Sequence, residues 1–167
     1  MRITGSTLWR SPRPLPGALI ILMTASCSVN RFAVNKLGNA LAGSGTTFAA
    51  DDDPALIEAA TPFSLKLMES LLAASPRHRG LLFATASGFT QYAYAFVQQD
   101  ADRLEDVDVA RAAEARLRAR HLYLRARDYG LRGLETRLPR FAAQLRTDPR
   151  GAVSRAPGFP VESLRVF

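Results

Sequence analysis

The sequence predicts an all-α protein built from antiparallel helix pairs. Apolar residues recur at intervals of three and four along several long stretches, which is the spacing of one helix face. Turn residues separate these stretches, as in SPRHRG at positions 75–80. The sequence contains no alternating β-branched run bounded by hairpin turns, the pattern that would indicate strands. A length of 167 residues favours a single domain.

The first 26 residues are predicted to be a signal peptide of the lipoprotein type. Basic residues precede a short apolar run at 17–23, which is far below the roughly 20 residues of a membrane span. Small residues, Ala25 and Ser26, come directly before Cys27, as in a bacterial lipoprotein box. We therefore predict lipid attachment at Cys27. The alternative is an ordinary cleaved signal, or a start codon placed too early, with Cys27 an incidental thiol.

The lipid would hold the protein at a membrane. Several acyl chains give stable anchoring, because each buried methylene contributes about 0.8 kcal/mol. The residue after the cysteine is Ser28, not the aspartate that tends to retain lipoproteins at the inner membrane. We predict a periplasmic location, with the outer membrane favoured as the site of anchoring.

Two helices are predicted at the start of the mature chain. Residues 28–42 form a short amphipathic pattern. A loop then leads to Asp53, which suits an N-cap because its carboxylate accepts hydrogen bonds from free backbone N–H groups. Pro54 suits the first helical position, and the helix is predicted to run to Ser75. Pro62 is predicted to kink this helix or to divide it in two.

An uncharged, aromatic helix is predicted from Leu81 to Gln99. On a helical wheel, one face of large side chains consists of Leu81, Phe89, Tyr92 and Phe96. A second such face consists of Phe83, Tyr94 and Val97. A strip of small residues consists of Ala84, Gly88 and Ala95. The pattern suits a buried core helix or the wall of a cavity. Core packing is the interpretation we favour for Phe89 and Phe96.

Four residues of this helix are candidates for lining a cavity. Tyr92 and Tyr94 lie on different sides of the helix, and each hydroxyl requires a hydrogen-bond partner. Thr90 and Gln91 add further polar groups between them. Such a lining would suit a ligand with an apolar body and a few polar points. The alternative for the two tyrosines is ordinary packing between helix pairs.

The remaining elements are a connector, a long helix and a shorter one. The connector covers 100–108, and the long helix runs from Val109 to Asp128 with a break at Gly130. The last helix is predicted over 131–145, interrupted near Pro139. The long helix has two apolar stripes, Ala112, Ala115, Ala119, Leu122 and Ala126 on one side, and Ala113, Leu117, Leu124 and Leu131 on the other. Two stripes predict neighbours on both sides, as in a stacked helical array.

Arginines form two seams on the long helix. One repeats every seven residues, at Arg111, Arg118, Arg125 and Arg132, together with Glu114, His121 and Asp128. Within it, Arg125, Asp128 and Arg132 are predicted to form an ion-pair set at the break. The other seam, Arg116, Arg120 and Arg127, contains no acid. It is either a solvated or ion-paired face, or a surface that meets a carboxylate ligand or an acidic patch on a partner.

Composition argues against several classes of function. The net charge is +7, but acids are interspersed among the arginines, which argues against nucleic acid as the partner. A cytosolic, arginine-rich nucleic-acid binder without a lipid on Cys27 is the third alternative. A single cysteine permits no internal disulfide, and two histidines make a zinc site unexpected. The acids at 51–53 suit helix capping better than calcium, because no alternating carboxylates follow. Neither a catalytic triad signature nor a phosphate-binding loop appears, so we predict no enzyme activity, no metal and no cofactor.

Four stretches are similar to a known family. They are the leader ending in Cys27, FAADDDPALIEAATPFSLKLMESLL, GLLFATASGFTQYAYAFVQQDADRLE and LYLRARDYGLRGLE. Together they resemble the TatT component family of TRAP transporters, the tripartite ATP-independent periplasmic transporters, from about Cys27 to Glu135. The resemblance implies a periplasmic lipoprotein of tetratricopeptide-like helix pairs that acts beside a TRAP substrate-binding protein and self-associates, for example as a trimer.

The resemblance also implies a function and a division of the chain. Family members are thought to enclose a cavity and to aid uptake of a small ligand, hydrophobic or carboxylate, without catalysis. A membrane-tethered helical-repeat scaffold without a ligand is the alternative. We expect a signal peptide at 1–26, the N-terminal part of a TatT-like helical domain at 27–146, and an irregular tail at 147–167. Because family chains are longer, the expected product is a partial, C-terminally truncated solenoid.

Overall fold

The structure is a computed structural model that describes residues 32–43 and 50–156, and it is helical throughout these ranges apart from turns. The helices in chain order are α1 (32–43), α2 (Pro54–Ala74), α3 (Arg79–Tyr92), a π-helix (Ala93–Gln98), α4 (Gln99–Leu104), α5 (Val109–Glu135), α6 (Phe141–Thr147) and α7 (Pro149–Ser154). The described part of the chain contains no strand. The predicted all-α class is therefore confirmed, whereas the tetratricopeptide-like solenoid stays a prediction. The predicted signal peptide and Cys27 lie outside the described residues.

Helix α2 begins at the predicted cap and runs without interruption to Ala74. The Asp53 carboxylate accepts hydrogen bonds from the backbone N–H groups of Ala55 and Leu56, at 3.1 and 3.0 Å. Pro62 lies inside the helix and does not divide it, so that part of the prediction is wrong. The buried apolar face, Leu65, Met68 and Leu72, follows the proline directly. Burial of this face against the neighbouring helix offsets the loss of one backbone hydrogen bond.

The aromatic helix is longer than expected because the chain stays helical from Arg79 to Leu104. Its first backbone groups are capped by His78, whose Nδ1 accepts a hydrogen bond from Leu81 N–H at 3.1 Å. The predicted face of Phe83, Tyr94 and Val97 does not exist as such: Tyr94 is 56% exposed and Val97 only 2%. The π-helix contains both residues, and its wider turn rotates them away from the positions of a regular wheel.

Helix α5 is continuous from Val109 to Glu135, so the predicted break at Gly130 is wrong. Gly130 and Gly133 are both buried within it. A Cβ atom at Gly133 would lie 3.0 Å from a ring carbon of Phe83. Glycine here therefore allows a close approach of α5 to α3, which is a packing role and not a helix stop.

The core lies where α5 packs against α3, the π-helix and α4, and where α2 packs on α3. One cluster joins Leu65, Phe89, Tyr92, Val97, Ala119 and Ala126. The first predicted stripe of α5 is confirmed, since Ala112, Ala119 and Ala126 are buried. On the second stripe, Ala113 and Leu117 are exposed. Among the described residues, no helix covers these two positions, although the sequence predicts a neighbour on that side.

The chain ends in two short helices, α6 and α7. The predicted helix over 131–145 is instead the end of α5, a turn and α6. Arg140 in the turn has a φ of 62°, an uncommon left-handed conformation for a residue with a side chain. The tail predicted to be irregular from residue 147 is helical over Pro149–Ser154, where the Asp148 carboxylate accepts from Gly151 N–H at 2.9 Å. Residues 157–167 lie outside the described range.

Two candidate ligand grooves

Two grooves with different linings lie between the described helices and share no lining residue. The first, the apolar groove, has a volume of about 560 Å³ and lies among α1, α2, α3 and the π-helix. Its lining is Leu41, Ala42, Gly43, Ile57, Thr61, Ser64, Leu65, Met68, Gly80, Phe83, Ala84, Ser87, Gly88, Gln91, Tyr92, Ala95 and Phe96. The second, the arginine groove, has a volume of about 520 Å³ and is lined by Gln98, Asp102, Arg116, Ala119, Arg120, Tyr123, Leu124 and Arg127.

Polar groups in the apolar groove are few and partly satisfied by their own helices. The hydroxyl of Thr61 donates to the Ile57 carbonyl at 2.6 Å, and that of Ser64 donates to Ala60 at 3.2 Å. On α3, Gln91 donates from Nε2 to the Ser87 hydroxyl at 2.8 Å. The remaining lone pairs and the Gln91 carbonyl are left to accept hydrogen bonds from a bound molecule. The groove thus offers apolar walls with a small number of polar contacts.

Small residues create the space in this groove. Ala84, Gly88 and Ala95, predicted as one strip, all line it. A Cβ atom at Gly88 would lie 2.7 Å from Cδ2 of Leu65, so any larger residue would displace the Leu65 side chain. On the α1 side, Gly38 is buried close to His78, and Asn35 accepts a hydrogen bond from the Ser75 hydroxyl at 2.9 Å. These contacts hold α1 beside α2 and α3.

The four cavity residues predicted on the aromatic helix are divided by the structure. Tyr92 and Gln91 line the apolar groove. Thr90 does not, and its hydroxyl donates to the Ala86 carbonyl at 2.9 Å. Tyr94 is exposed and lies outside the lining of either groove. The sequence could not place Tyr94 outside the groove, because the π-helix changes the direction of the side chains that follow Tyr92.

Tyr92 connects the groove to the outer surface of α5. Its ring is buried and packs at 5.6 Å, tilted by 46°, against the ring of Phe96. The guanidinium of Arg118 lies 6.0 Å from the ring centre and donates to the phenol oxygen at 3.4 Å. The Tyr92 ring therefore lines the groove, while its hydroxyl lies next to a positively charged side chain.

The predicted acid-free seam, Arg116, Arg120 and Arg127, lies along one wall of the arginine groove. Arg116 pairs with Glu105 and, at 3.4 Å, with Asp102. The hydrogen bond to Glu105 raises the pKa of Arg116 above its ordinary value. Although the seam itself contains no acid, α4 and the turn after it supply these carboxylates.

The other two arginines of the groove differ in their partners. Arg127 donates from Nε and Nη2 to Oδ1 of Asp128, at 3.0 and 2.7 Å. The guanidinium of Arg120 has no hydrogen-bond or ion-pair partner among residues 32–43 and 50–156. Of the three guanidinium groups in this groove, only that of Arg120 therefore keeps all its donors free of the described chain.

Tyr123 and Gln98 also line the arginine groove and are joined to each other. The Tyr123 hydroxyl donates to Oε1 of Gln98 at 2.6 Å. Burial raises the pKa of Tyr123, and the nearby Tyr94 and Asp102 raise it further. A tyrosine phenol is neutral near neutral pH, so Tyr123 keeps its proton for this hydrogen bond. Sequence reasoning missed Gln98, whose direction depends on the π-helix.

The seven-residue arginine seam does not form the predicted ion-pair set. Asp128 pairs with its neighbour Arg127, and Arg132 donates to the Pro76 carbonyl at 3.3 Å. Arg125 instead reaches Glu69 on α2, with Nε at 2.7 Å from Oε1. The prediction failed because Arg125 and Arg132 reach across to α2 and to the turn after it, while Asp128 pairs with the adjacent Arg127.

The same seam places its guanidinium groups over aromatic rings. Arg118, Arg125 and Arg132 lie over Tyr92, Phe89 and Tyr129, at 6.0, 5.0 and 5.1 Å from the ring centres. The Phe89 and Tyr129 rings are themselves stacked, with centres 6.0 Å apart. A seven-residue repeat keeps side chains on one helix face, so the sequence predicted that these arginines lie in a row. It did not predict the aromatic rings that they contact.

The described residues show neither a metal cluster nor a membrane span. Groups of three or more His, Cys, Asp or Glu side chains placed to hold a metal ion do not occur in residues 32–43 and 50–156. Across the same residues, each helix is too short or too polar to cross a bilayer.

Comparisons with known proteins identify the family. The family described as TRAP transporter T-component (TAtT) matches residues 50–156. An uncharacterized protein of Treponema pallidum (strain Nichols) is 35% identical over 138 residues, which cover 74% of this chain and 43% of that relative. The chain thus spans less than half the length of the relative it matches. The protein belongs to the TRAP transporter T-component family.

Proposed function

We propose that the protein is an accessory component of TRAP transport that captures or delivers a small ligand with the substrate-binding protein. Family membership supports the transport role. The observation that carries the ligand role is the apolar groove of about 560 Å³, with its few polar groups. A ligand with an apolar body and one or two polar points fits this lining best.

The physical properties of the groove support binding of a small molecule. Ligand pockets in proteins typically measure about 300–1,000 Å³ and are mainly apolar with a few polar groups that fix orientation. Removing apolar ligand surface from water contributes about 25 cal/mol per Å². In this groove Gln91 and Ser87 supply the orienting contacts, while Met68 and Phe83 supply the apolar surface. Binding, not catalysis, is the role that we propose.

Native mass spectrometry tests the ligand proposal on protein released gently from its own membranes. We expect bound small molecules in the wild type and their loss in Ala84→Phe, because the new ring would fill the groove. Ala73→Phe is the matched control, since Ala73 is exposed on α2 and lies outside the lining. A wild-type protein that is empty in every preparation, or equal occupancy in both variants, would contradict the proposal.

The partner and the location form the second part of the proposal. We expect the protein to co-purify with a TRAP substrate-binding protein, to reside in the periplasm and to be anchored through Cys27, with the outer membrane favoured. Labelling with a palmitate analogue should mark the wild type and leave Cys27→Ala unmarked. Recovery of no such binding protein from membranes, or equal labelling of the two chains, would count against this assignment.

A membrane-tethered scaffold without a ligand is the second candidate function. The exposed stripe on α5 favours it, because Leu117 is 53% exposed and Ala113 beside it is exposed too. Exposed apolar stripes mark protein interaction surfaces. A trimer or another homo-oligomer is one form that such an interaction would take, and mass photometry measures it directly. An empty apolar groove together with stable protein complexes would favour this candidate.

A further inference from the structure

We propose that the outer face of α1 lies in the lipid headgroup region of the membrane to which the chain is anchored. This inference rests on the lipid proposed at Cys27, and it deepens that proposal by naming the surface that contacts the bilayer. Three observations support it: the face is exposed and apolar, its one charge is positive, and it begins five residues after the cysteine.

Helix α1 has two dissimilar faces. The inner face packs on the fold, with Gly38 buried beside His78 and Leu41 in the lining of the apolar groove. Spacings of three and four residues place the other face on one side of the helix. This outer face is exposed and consists of Phe32, Ala33, Lys36, Leu37 and Ala40. Contiguous exposed apolar side chains of this kind mark an interaction surface.

The chemistry of the outer face suits a lipid surface better than a protein. Residues 32–43 contain one charged side chain, Lys36, and no carboxylate. The Lys36 Nζ lies 5.4 Å from the centre of the Phe32 ring, so a cation and an aromatic ring share one end of the face. In helices that lie in a bilayer interface, apolar side chains enter the acyl boundary while lysine stems keep their ammonium groups at the phosphates.

The anchor makes such a small face sufficient. From solution it would bind a membrane only weakly, because binding strength scales with the apolar area buried. Five residues span at most about 18 Å when fully extended, so a lipid on Cys27 keeps Phe32 within that distance of the headgroups. A tether this short raises the effective concentration of the face at the bilayer, and a weak contact then suffices.

The test places a single tryptophan on the outer face and measures its contact with lipid. Phe32→Trp is made in a chain that also carries Trp9→Phe, so position 32 holds the only indole. The protein is isolated from the membranes in which it is made. It is then incorporated into vesicles of phosphatidylcholine and phosphatidylglycerol, brominated near the top of the acyl chains.

Phe63→Trp in the same background is the matched control. Phe63 is 73% exposed and Phe32 is 64% exposed, so both indoles replace a phenylalanine that faces outward. Phe63 lies on α2 twelve residues before Ser75, whose hydroxyl contacts Asn35 of α1, and twelve helical residues measure about 18 Å. We expect at least about twofold stronger quenching at position 32 than at position 63, since interfacial helix faces lie about 5–10 Å into the headgroup boundary.

Failure of the anchor and failure of this inference give different results. An intact-mass measurement shows whether Cys27 carries lipid. A chain without lipid is coupled to a maleimide phospholipid through Cys27, its only cysteine, and the same quenching is measured. Equal quenching at positions 32 and 63, or none at position 32 in the anchored protein, would overturn the inference. An indole at position 32 that bromine does not quench, but that is shielded from acrylamide, would show a protein on this face and would overturn it too.

Discussion

Among single residues, Glu69 makes the polar connection between α2 and α5. Its side chain is 9% exposed and receives Lys66 at 2.6 Å from its own helix. Arg125 binds it with two nitrogens, at 2.7 and 3.0 Å, and the Tyr129 hydroxyl donates to it at 2.8 Å. A carboxylate this little exposed requires such partners, because an unpaired charge would be strongly destabilising there.

Removal of this charge should destabilise the fold. We expect Glu69→Gln to lower the free energy of unfolding by about 1–3 kcal/mol, since Arg125 and Lys66 lose a shared, nearly buried acceptor. Urea denaturation followed by circular dichroism measures the change. Glu58→Gln on the exposed side of the same helix is the control and should change stability by less than about 0.5 kcal/mol.

The same residue predicts a pH dependence of stability. Burial alone would raise the pKa of Glu69, but the hydrogen bonds from Lys66 and Tyr129 and the charge of Arg125 outweigh it, so the pKa lies below the ordinary 4.5. The ionised form is therefore favoured by folding, and its contribution is complete above the ordinary pKa and is lost as the pH falls through the lowered one. The stability difference between wild type and Glu69→Gln should shrink on acidification. A difference that grows toward low pH would contradict this sign.

The sequence alone predicts only some of the contacts that Glu69 makes. Lys66 and Glu69 are three residues apart, which places them on one helix face. Arg125 and Tyr129 lie far along the chain, and their meeting with Glu69 depends on how α5 crosses α2. Sequence spacing specifies neighbours within a helix, whereas pairs between helices require the packing to be known.

Among the helices, α5 depends on its N-terminal cap. The Asp108 carboxylate accepts a hydrogen bond from Arg111 N–H at 3.0 Å at the start of the helix. Asp108→Ala should lower the free energy of unfolding, measured by thermal denaturation, by about 1 kcal/mol, because the backbone N–H of Arg111 loses its acceptor. Asp106→Ala in the preceding turn removes the same charge without a cap and should be nearly neutral. Equal effects of the two substitutions would mean that charge, not capping, determines the difference.

The helices were predictable where local rules decide them. Asp53 with Pro54 marked the start of α2 correctly, and the buried stripe of α5 followed from its spacing. The failures have one physical origin, which is tertiary packing acting against local preference. Gly130 did not stop α5, since the helix is buried there against its neighbours. The π-helix at Ala93–Gln98 likewise has no signal in residue type or spacing.

For the molecule as a whole, the two sides of α5 differ in environment. Ala126 on the first stripe is buried in the core with Phe89 and Tyr92, whereas Leu117 on the second is exposed. Ala126→Leu should therefore destabilise the fold by about 1–3 kcal/mol through overpacking. Leu117→Lys should change stability by less than about 0.5 kcal/mol. Chemical denaturation of the two variants measures both values, and a large loss in Leu117→Lys would reveal an unseen neighbour.

The sequence predicted the two candidate sites to different degrees, because spacing along one helix can be read from the sequence and packing between helices cannot. Arg116, Arg120 and Arg127 meet in one groove because spacings of four and seven on a regular helix always give one side. Tyr92 and Gln91 line the apolar groove and Tyr94 and Thr90 do not, and residue type and spacing did not separate the two pairs. The apolar groove needs three helices and the π-helix in place, so its full lining required the structure.

The four tyrosines of the chain occupy four different environments. Tyr92 borders the apolar groove, Tyr123 the arginine groove, Tyr129 contacts Glu69, and Tyr94 faces solvent. The single tryptophan lies upstream of the cysteine in the predicted leader. A polypeptide that starts at that cysteine therefore shows the tyrosine absorption band without a tryptophan contribution. Its difference spectrum is an intrinsic optical signal for occupancy of either groove, without an added dye.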